Sequence, residues 1–267
     1  MTSPVIEHIL LEPKLELWDK PGTDAYACYD VFDEHFYNQL KSSVEALVKA
    51  DKKTYMIHGT KFNLEDQERK VISHKQNGRE IYFIYDTSFE RGWFYQTKDT
   101  IKEWSDECVR KNASPIFYKY IKALENLPPF NEEKDNWLFY KMHINYLPQG
   151  RVLSIHYDNN PMLYDTPGYR NLDHTDMDHT HARTRSVTYY MYDHIEGLGG
   201  EFWTLDGFVF KPRKNSLVNI NGNQAIHGVT MNMQAEPRMA VTVRVAHKDD
   251  LFLPGSPDKV MYDVTNV

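Results

Sequence analysis

The sequence predicts a mostly β protein, an antiparallel sandwich or barrel with helices placed ahead of it. Two observations carry this. From residue 137 onward short strand-like runs follow one another with turn residues between them: WLFYKMHINYL, RVLSIHYD, RSVTYYMYD, GEFWTL, FVFKP, NSLVNIN, AIHGVTM and RMAVTVRVAH. Such spacing favours hairpin-connected strands over a parallel sheet, which needs crossover helices. In the first 135 residues, by contrast, several apolar stripes recur at helical spacing.

Taken in order, Asp33 is an N-cap for a helix with Phe36, Leu40, Val44 and Leu47 on one face, ending near Lys49 and Ala50. RKVISHKQNGREIYFIY places Asn77-Gly78, a strong hairpin turn, between β-branched and aromatic runs. Thr97 caps a second helix carrying Ile101, Trp104 and Cys108, and Ser114-Pro115 opens a third with Phe117, Ile121 and Leu124. Such stripes are read as core. The polar stretch Leu124–Asn136 ends that helix at its paired prolines and leads into the first of the late strands. Between RVLSIHYD and RSVTYYMYD lies a long polar segment, NNPMLYDTPGYRNLDHTDMDHTHART, read as a lid or binding loop. Gly199-Gly200 makes a tight turn before Glu201.

Length and composition bound the answer. A chain of 267 residues with 41% hydrophobic residues is expected to form one catalytic domain: a helical and mixed support over 1–135, a β core over 136–248 and a tail over 249–267. The net charge of -7 and the scattered Lys and Arg residues argue against a nucleic-acid partner. Cys28 and Cys108 are isolated thiols, the N-terminus has no basic segment leading into a long apolar run, and no run approaches the roughly 18 apolar residues of a membrane span. The expectation is a soluble, cytoplasmic protein with no membrane partner.

The chemistry is concentrated in GRVLSIHYDNN. His156 and Asp158 are two residues apart on a strand and so project from one face, where both reach a single ion. Two ligands do not hold a catalytic metal. A third is His227, 71 residues further on in a different strand. Two imidazoles and one carboxylate on one side of an ion leave the other side open, which suits Fe(II) and O2 chemistry; a structural zinc would require a closed shell of four. In RMAVTVR, alternation puts Arg238, Ala240, Thr242 and Arg244 on one face. An inward guanidinium there is a planar fork for a carboxylate. A rival metal motif, His174-Thr-Asp176 with His179 and His181, lies in the long polar segment without a glycine-led strand before it.

The ordered set of motifs resembles the 2-oxoglutarate and Fe(II)-dependent oxygenases, most closely their prolyl 4-hydroxylase-like branch. The residues that carry it are Tyr146-Leu-Pro-Gln-Gly150 leading to His156-Tyr-Asp158, TYYMYDHIEGLGGEFW, Pro212, His227 and Arg238. YACYDVFDEHFYNQLKSSVEAL is similar to the strand and helix that open this family's catalytic domain. The resemblance implies a double-stranded β-helix (jelly-roll) core with flanking helices, Fe(II) held by His156, Asp158 and His227, and 2-oxoglutarate held by Arg238. Arg244, on the same face as Arg238, is a candidate second carboxylate contact or a solvated strand end, and Tyr146 either touches the cosubstrate or packs. It implies a hydroxylase: O2 and 2-oxoglutarate are consumed, succinate and CO2 are released, and an unactivated C–H of a peptide residue, free amino acid or small metabolite is hydroxylated. Related halogenases carry a small residue where this chain has Asp158. Prolyl 4-hydroxylases usually have lysine at Arg238, and many relatives have Ser or Thr at Ala240. Asn215 stands near a turn glycine of the family and tolerates positive φ. Three alternatives stand beside this reading: a nucleic-acid demethylase of the same superfamily, a cupin-type metalloenzyme that does not use 2-oxoglutarate, and a non-enzymatic binding module that would tolerate loss of all three ligands.

Overall fold

The structure is a computed structural model that describes residues 14–18, 25–49, 55–57, 60–62, 80–87, 96–156, 158, 183–222 and 225–249. The Asn77-Gly78 turn and the loop motif of His174, Asp176, His179 and His181 lie outside the described residues.

Among the described residues, three α-helices precede the main run of strands. Helix α1, Glu34–Lys49, starts where expected: Asp33 Oδ1 accepts the Phe36 amide at 2.8 Å. Phe36, Tyr37, Leu40 and Val44 are buried along it, but Leu47 is 36% exposed. The stripe drifts instead to Val48, four residues beyond Val44, which packs on the core. Helix α2 is Ile101–Asn112. Its N-cap is Thr100 rather than Thr97, because Thr97 and Thr100 bond each other in a turn whose Thr97 carbonyl accepts the Thr100 and Ile101 amides. Helix α3, Pro115–Leu124, opens on Ser114 with proline at its first position, as predicted.

Thirteen strands are described: β1 Lys14–Trp18, β2 Ala25–Tyr29, β3 Tyr55–Ile57, β4 Thr60–Phe62, β5 Glu80–Asp86, β6 Trp137–Leu147, β7 Arg151–His156, β8 Thr184–Tyr190, β9 Phe202–Thr204, β10 Val209–Phe210, β11 Ser216–Asn221, β12 His227–Asn232 and β13 Arg238–His247. All eight late runs appear as strands. A seven-stranded sheet runs β1-β2-β11-β8-β13-β6-β5, a four-stranded sheet runs β10-β9-β12-β7, and β3 pairs with β4. Every pairing is antiparallel. Apart from the β9–β10 hairpin, the late strands alternate between the two sheets, the interleaving that makes a jelly roll.

Strand alternation divides the larger sheet into two faces. Met239, Val241, Val243 and Val245 of β13 point to the helices and share a core with Phe36, Leu40, Val109, Phe117 and Tyr120. Fully burying each such side chain is worth about 1.5–3 kcal/mol. Arg238, Ala240, Thr242 and Arg244 take the opposite face, toward the four-stranded sheet. Its apolar part is built by Leu147, Leu153, Tyr190, Phe202, Val229 and Ala240, among others. Cys28 is buried in the helix-side core, and burial pushes its thiol up to about 12, so it packs as an inert apolar group.

Asn215 ties the helical layer to the strands. Its backbone has φ 59°. Its Oδ1 accepts the Phe32 amide at 3.0 Å and the Tyr189 hydroxyl at 2.8 Å, and its Nδ2 donates to the Phe32 carbonyl at 2.7 Å. Glycine would keep the backbone and remove only these bonds. Asn215→Gly is therefore expected to lower unfolding free energy by about 2–3 kcal/mol, at roughly 1 kcal/mol per bond. Urea denaturation measures this, and a loss under about 0.5 kcal/mol would show the bonds to be net neutral.

Candidate metal centre

The two histidines are cross-strand neighbours. His156 ends β7 and His227 begins β12, directly opposite it in the register, with ring centroids 4.4 Å apart. Asp158 lies beyond the end of β7, where its amide donates to the Gly222 carbonyl at 3.0 Å. This bond swings the carboxylate back toward the rings. His156 Nε2 is 3.5 Å from Asp158 Oδ1 and His227 Nε2 is 3.6 Å from Oδ2. One ligand atom from each of the three residues lies within 4.8 Å of the others.

The donor chemistry fits a divalent metal. His227 Nδ1 lies 2.7 Å from the Ala225 carbonyl, which can only accept, so Nδ1 carries the proton and Nε2 keeps its lone pair for an ion. The His227 ring also packs against Phe202 at 5.3 Å between centroids, which fixes its plane. Asp158 is held by Arg244, whose Nη2 donates to Oδ1 while Nη1 pairs with Oδ2. A bidentate pair of this kind fixes the carboxylate in orientation. Arg244, read from the sequence as a weaker cosubstrate contact, is thus committed to a metal-ligand candidate.

Arg238 sits on the same face of β13 as Arg244 but is only 3% exposed. Its Nη2 donates to the Tyr190 hydroxyl at 3.2 Å, and its guanidinium lies over the Tyr190 ring at 4.9 Å and near the Tyr192 ring at 6.0 Å. Burial raises the pKa of both phenols above the ordinary value. They therefore stay neutral, and no carboxylate among the described residues pairs with Arg238. Its Nε is buried without a hydrogen-bond partner. A buried cation with only neutral neighbours is an anion site.

Tyr146 does not join this arrangement. It stands opposite Met239, on the helix-facing side of the sheet, and packs edge-on against Tyr82. Tyr190 and Tyr192 take the place beside Arg238; TYYMYD contained them, but only the pairing of β8 with β13 brings them there. The tight turn falls just ahead of the place expected, at Ile195–Leu198, where the Leu198 amide donates to the Ile195 carbonyl at 3.0 Å; Gly199 and Gly200 follow it with φ 69° and 87°, and the Gly200 carbonyl accepts from the Tyr192 hydroxyl at 2.8 Å.

No family model and no curated protein matches this sequence. Solved structures do resemble the fold. A prolyl hydroxylase from Trichoplax adhaerens, in complex with a hypoxia inducible factor peptide fragment, is 13% identical, with 88% of each chain covered and a TM-score of 0.48. HygX from Streptomyces hygroscopicus, with nickel and 2-oxoglutarate bound, is 12% identical over 85% of this chain and 83% of that one, with a TM-score of 0.49. A Pseudomonas putida prolyl-4-hydroxylase is 14% identical over 84% and 92%, with a TM-score of 0.47. At such identities the likeness concerns the fold alone.

Proposed function

We propose that this chain is a 2-oxoglutarate- and Fe(II)-dependent dioxygenase that hydroxylates an unactivated C–H of a peptide residue, free amino acid or small metabolite. The observation that carries this reading is the pairing of two features on facing sheets: the convergent His156, Asp158 and His227, and a buried arginine that has no anionic partner among the described residues. A cupin-type enzyme has use for the first but none for the second. A nucleic-acid demethylase is disfavoured by the net charge of -7.

The residues divide the work. His156, Asp158 and His227 would hold Fe(II), which together with 2-oxoglutarate and O2 supplies the oxidising chemistry when bound. Arg238 receives the far carboxylate of 2-oxoglutarate, and Tyr190 keeps the guanidinium in place. Arg244 orients Asp158 through its two-pronged contact. Phe202, Leu153 and Val229 belong to the buried apolar cluster between the sheets, and Phe202 packs on the ring of His227.

Under anaerobic conditions, Fe(II)-loaded protein is expected to develop a weak visible absorption band on addition of 2-oxoglutarate. In air it is expected to form succinate slowly even without a primary substrate. Absence of both signals in metal-loaded protein would overturn the dioxygenase reading in favour of the cupin-type one.

A further inference from the structure

Among the described residues, every exposed large apolar side chain except Leu47 lies on the four-stranded sheet or in a segment leading into or out of its strands. The two most exposed, Leu205 at 63% and Val209 at 57%, line a pocket of about 530 Å³ together with Glu201, Trp203, Lys211 and Thr230. Register fixes which face it occupies. Phe202 and Phe210 are paired and buried between the sheets, so Trp203 and Val209, paired one position along, project outward, away from the metal ligands.

The pocket has an aromatic floor and a charged end. Trp203 stands opposite Gly228 of β12, and its indole lies against that glycine: a Cβ there would come within 3.1 Å of the ring. Glycine is what lets the indole lie down on the sheet. At the charged end, Glu201 and Thr230 are cross-strand neighbours; the Thr230 amide donates to the Glu201 carbonyl at 3.0 Å, and the Thr230 hydroxyl donates to Glu201 Oε2. His194 is buried behind this carboxylate, its Nδ1 directed at the Gly199 carbonyl at 3.0 Å. Its Nε2 stands 3.4 Å from Glu201 Oε1 without a hydrogen bond. Lys211 is held by Glu196, whose two oxygens lie 2.8 and 2.6 Å from its ammonium. Glu201 is therefore the charge that the pocket presents, with acceptor capacity left beside its bond from Thr230.

We propose that this pocket is a second recognition site, separate from the metal centre, for a lysine or arginine side chain presented by a polypeptide partner. The aliphatic stem lies along the indole between Leu205 and Val209, and the cation reaches Glu201. An aromatic face beside a carboxylate attracts a cation through both the ring and the ion pair. A neutral ligand would desolvate Glu201 without compensation, and an anion would meet like charge. The apolar surface continues past the pocket: Ile226, whose carbonyl accepts the Leu205 amide at 2.8 Å, and Met231, next to Thr230, are both exposed. One side chain does not cover that surface, whereas the residues flanking it in a polypeptide do. The site goes beyond the dioxygenase reading and does not depend on it.

The test uses the whole chain with isotope-labelled tryptophan, observed by NMR; the Trp203 indole signal is the one lost in Trp203→Phe. The probes are N-acetylated, C-amidated tripeptides with valine on either side of arginine, lysine, norleucine or glutamate, and N-acetyl-arginine amide without flanking residues. The arginine and lysine tripeptides are expected to shift the Trp203 signal saturably. They are expected to bind about 10-fold or more tightly than the norleucine and glutamate tripeptides, the scale of one charged hydrogen bond. The unflanked arginine amide is expected to bind more weakly than the arginine tripeptide. Glu201→Gln keeps an acceptor for Thr230 and is expected to abolish the preference for the basic tripeptides over norleucine. Should Glu201→Gln disturb the fold, Val209→Lys changes an exposed position, places a cation in the pocket and is expected to abolish binding of the basic tripeptides. No saturable shift of the Trp203 signal, equal binding by the norleucine tripeptide, a preference that survives in Glu201→Gln, or undiminished binding by Val209→Lys would each overturn the proposal. Equal affinity for the arginine tripeptide and the unflanked arginine amide would overturn the assignment to a polypeptide.

Discussion

His156→Ala, Asp158→Ala and His227→Ala are each expected to lose Fe(II) binding by more than about 100-fold, because even the outer partners of metal ligands are worth about 10–100-fold. The three variants will differ in what they do to the fold. His156 ends its strand with a side chain 28% exposed, so its removal leaves little cavity and gives the cleanest measurement. His227 is 5% exposed and packs on Phe202, so alanine there also loses core contact. Asp158→Ala leaves Arg244 without its carboxylate; breaking a fully buried pair costs about 3–5 kcal/mol, and the 18% exposure of Arg244 lowers that figure. Asp158→Asn retains an acceptor for Arg244 and separates the loss of metal from the loss of stability. Metal content after anaerobic loading and gel filtration, with circular dichroism as the check on folding, measures all four variants. Normal iron binding in all three alanine variants, together with its loss in His174→Ala, would move the site to the polar loop.

Arg238→Leu is expected to weaken 2-oxoglutarate by about 2–5 kcal/mol, the scale for truncating one partner of a buried charge pair. Iron affinity should stay close to wild type, since Arg238 touches Tyr190 and Tyr192 and none of the three ligand candidates. The size of the effect follows from the surroundings. Both phenols are neutral and no other cation among the described residues lies against them, so a carboxylate entering the variant would be desolvated without compensation. Arg244→Leu should act in the opposite pattern, weakening iron by about 10–100-fold through a loosened Asp158 while disturbing 2-oxoglutarate less. Anaerobic titrations of each variant with metal, then with cosubstrate, separate the two. If Arg244→Leu loses the cosubstrate and Arg238→Leu does not, the two arginines exchange roles and the dioxygenase reading survives.

What was legible in the sequence was whatever depends on local periodicity. The eight late strands could be read because alternation and turn residues are properties of neighbouring positions, and so could the two faces of RMAVTVR, which separate its arginines from Met239, Val241 and Val243. The Asp33 cap and the Ser114-Pro115 start were visible for the same reason. The strand KLELW alternates polar and apolar residues, but over only five positions, too short a run to stand out without its pairing with β2. Leu47 and Thr97 were misplaced by a fraction of a helical turn, where the tertiary contact of Val48 and the Thr97–Thr100 turn decide the outcome. At the site, residue types and order were enough to nominate His156, Asp158, His227 and Arg238. Their partners were not legible. Arg244 and Asp158 are separated by 86 positions, and Tyr190 and Arg238 by 48. Strand register sets those neighbours, and register is a long-range property: a shift of one residue would send every side chain of β13 to the other face. The sequence by itself determined which chemical groups face inward; only the tertiary structure decided which of them meet, because the hydrogen-bonded ladder between distant strands selects the pairs.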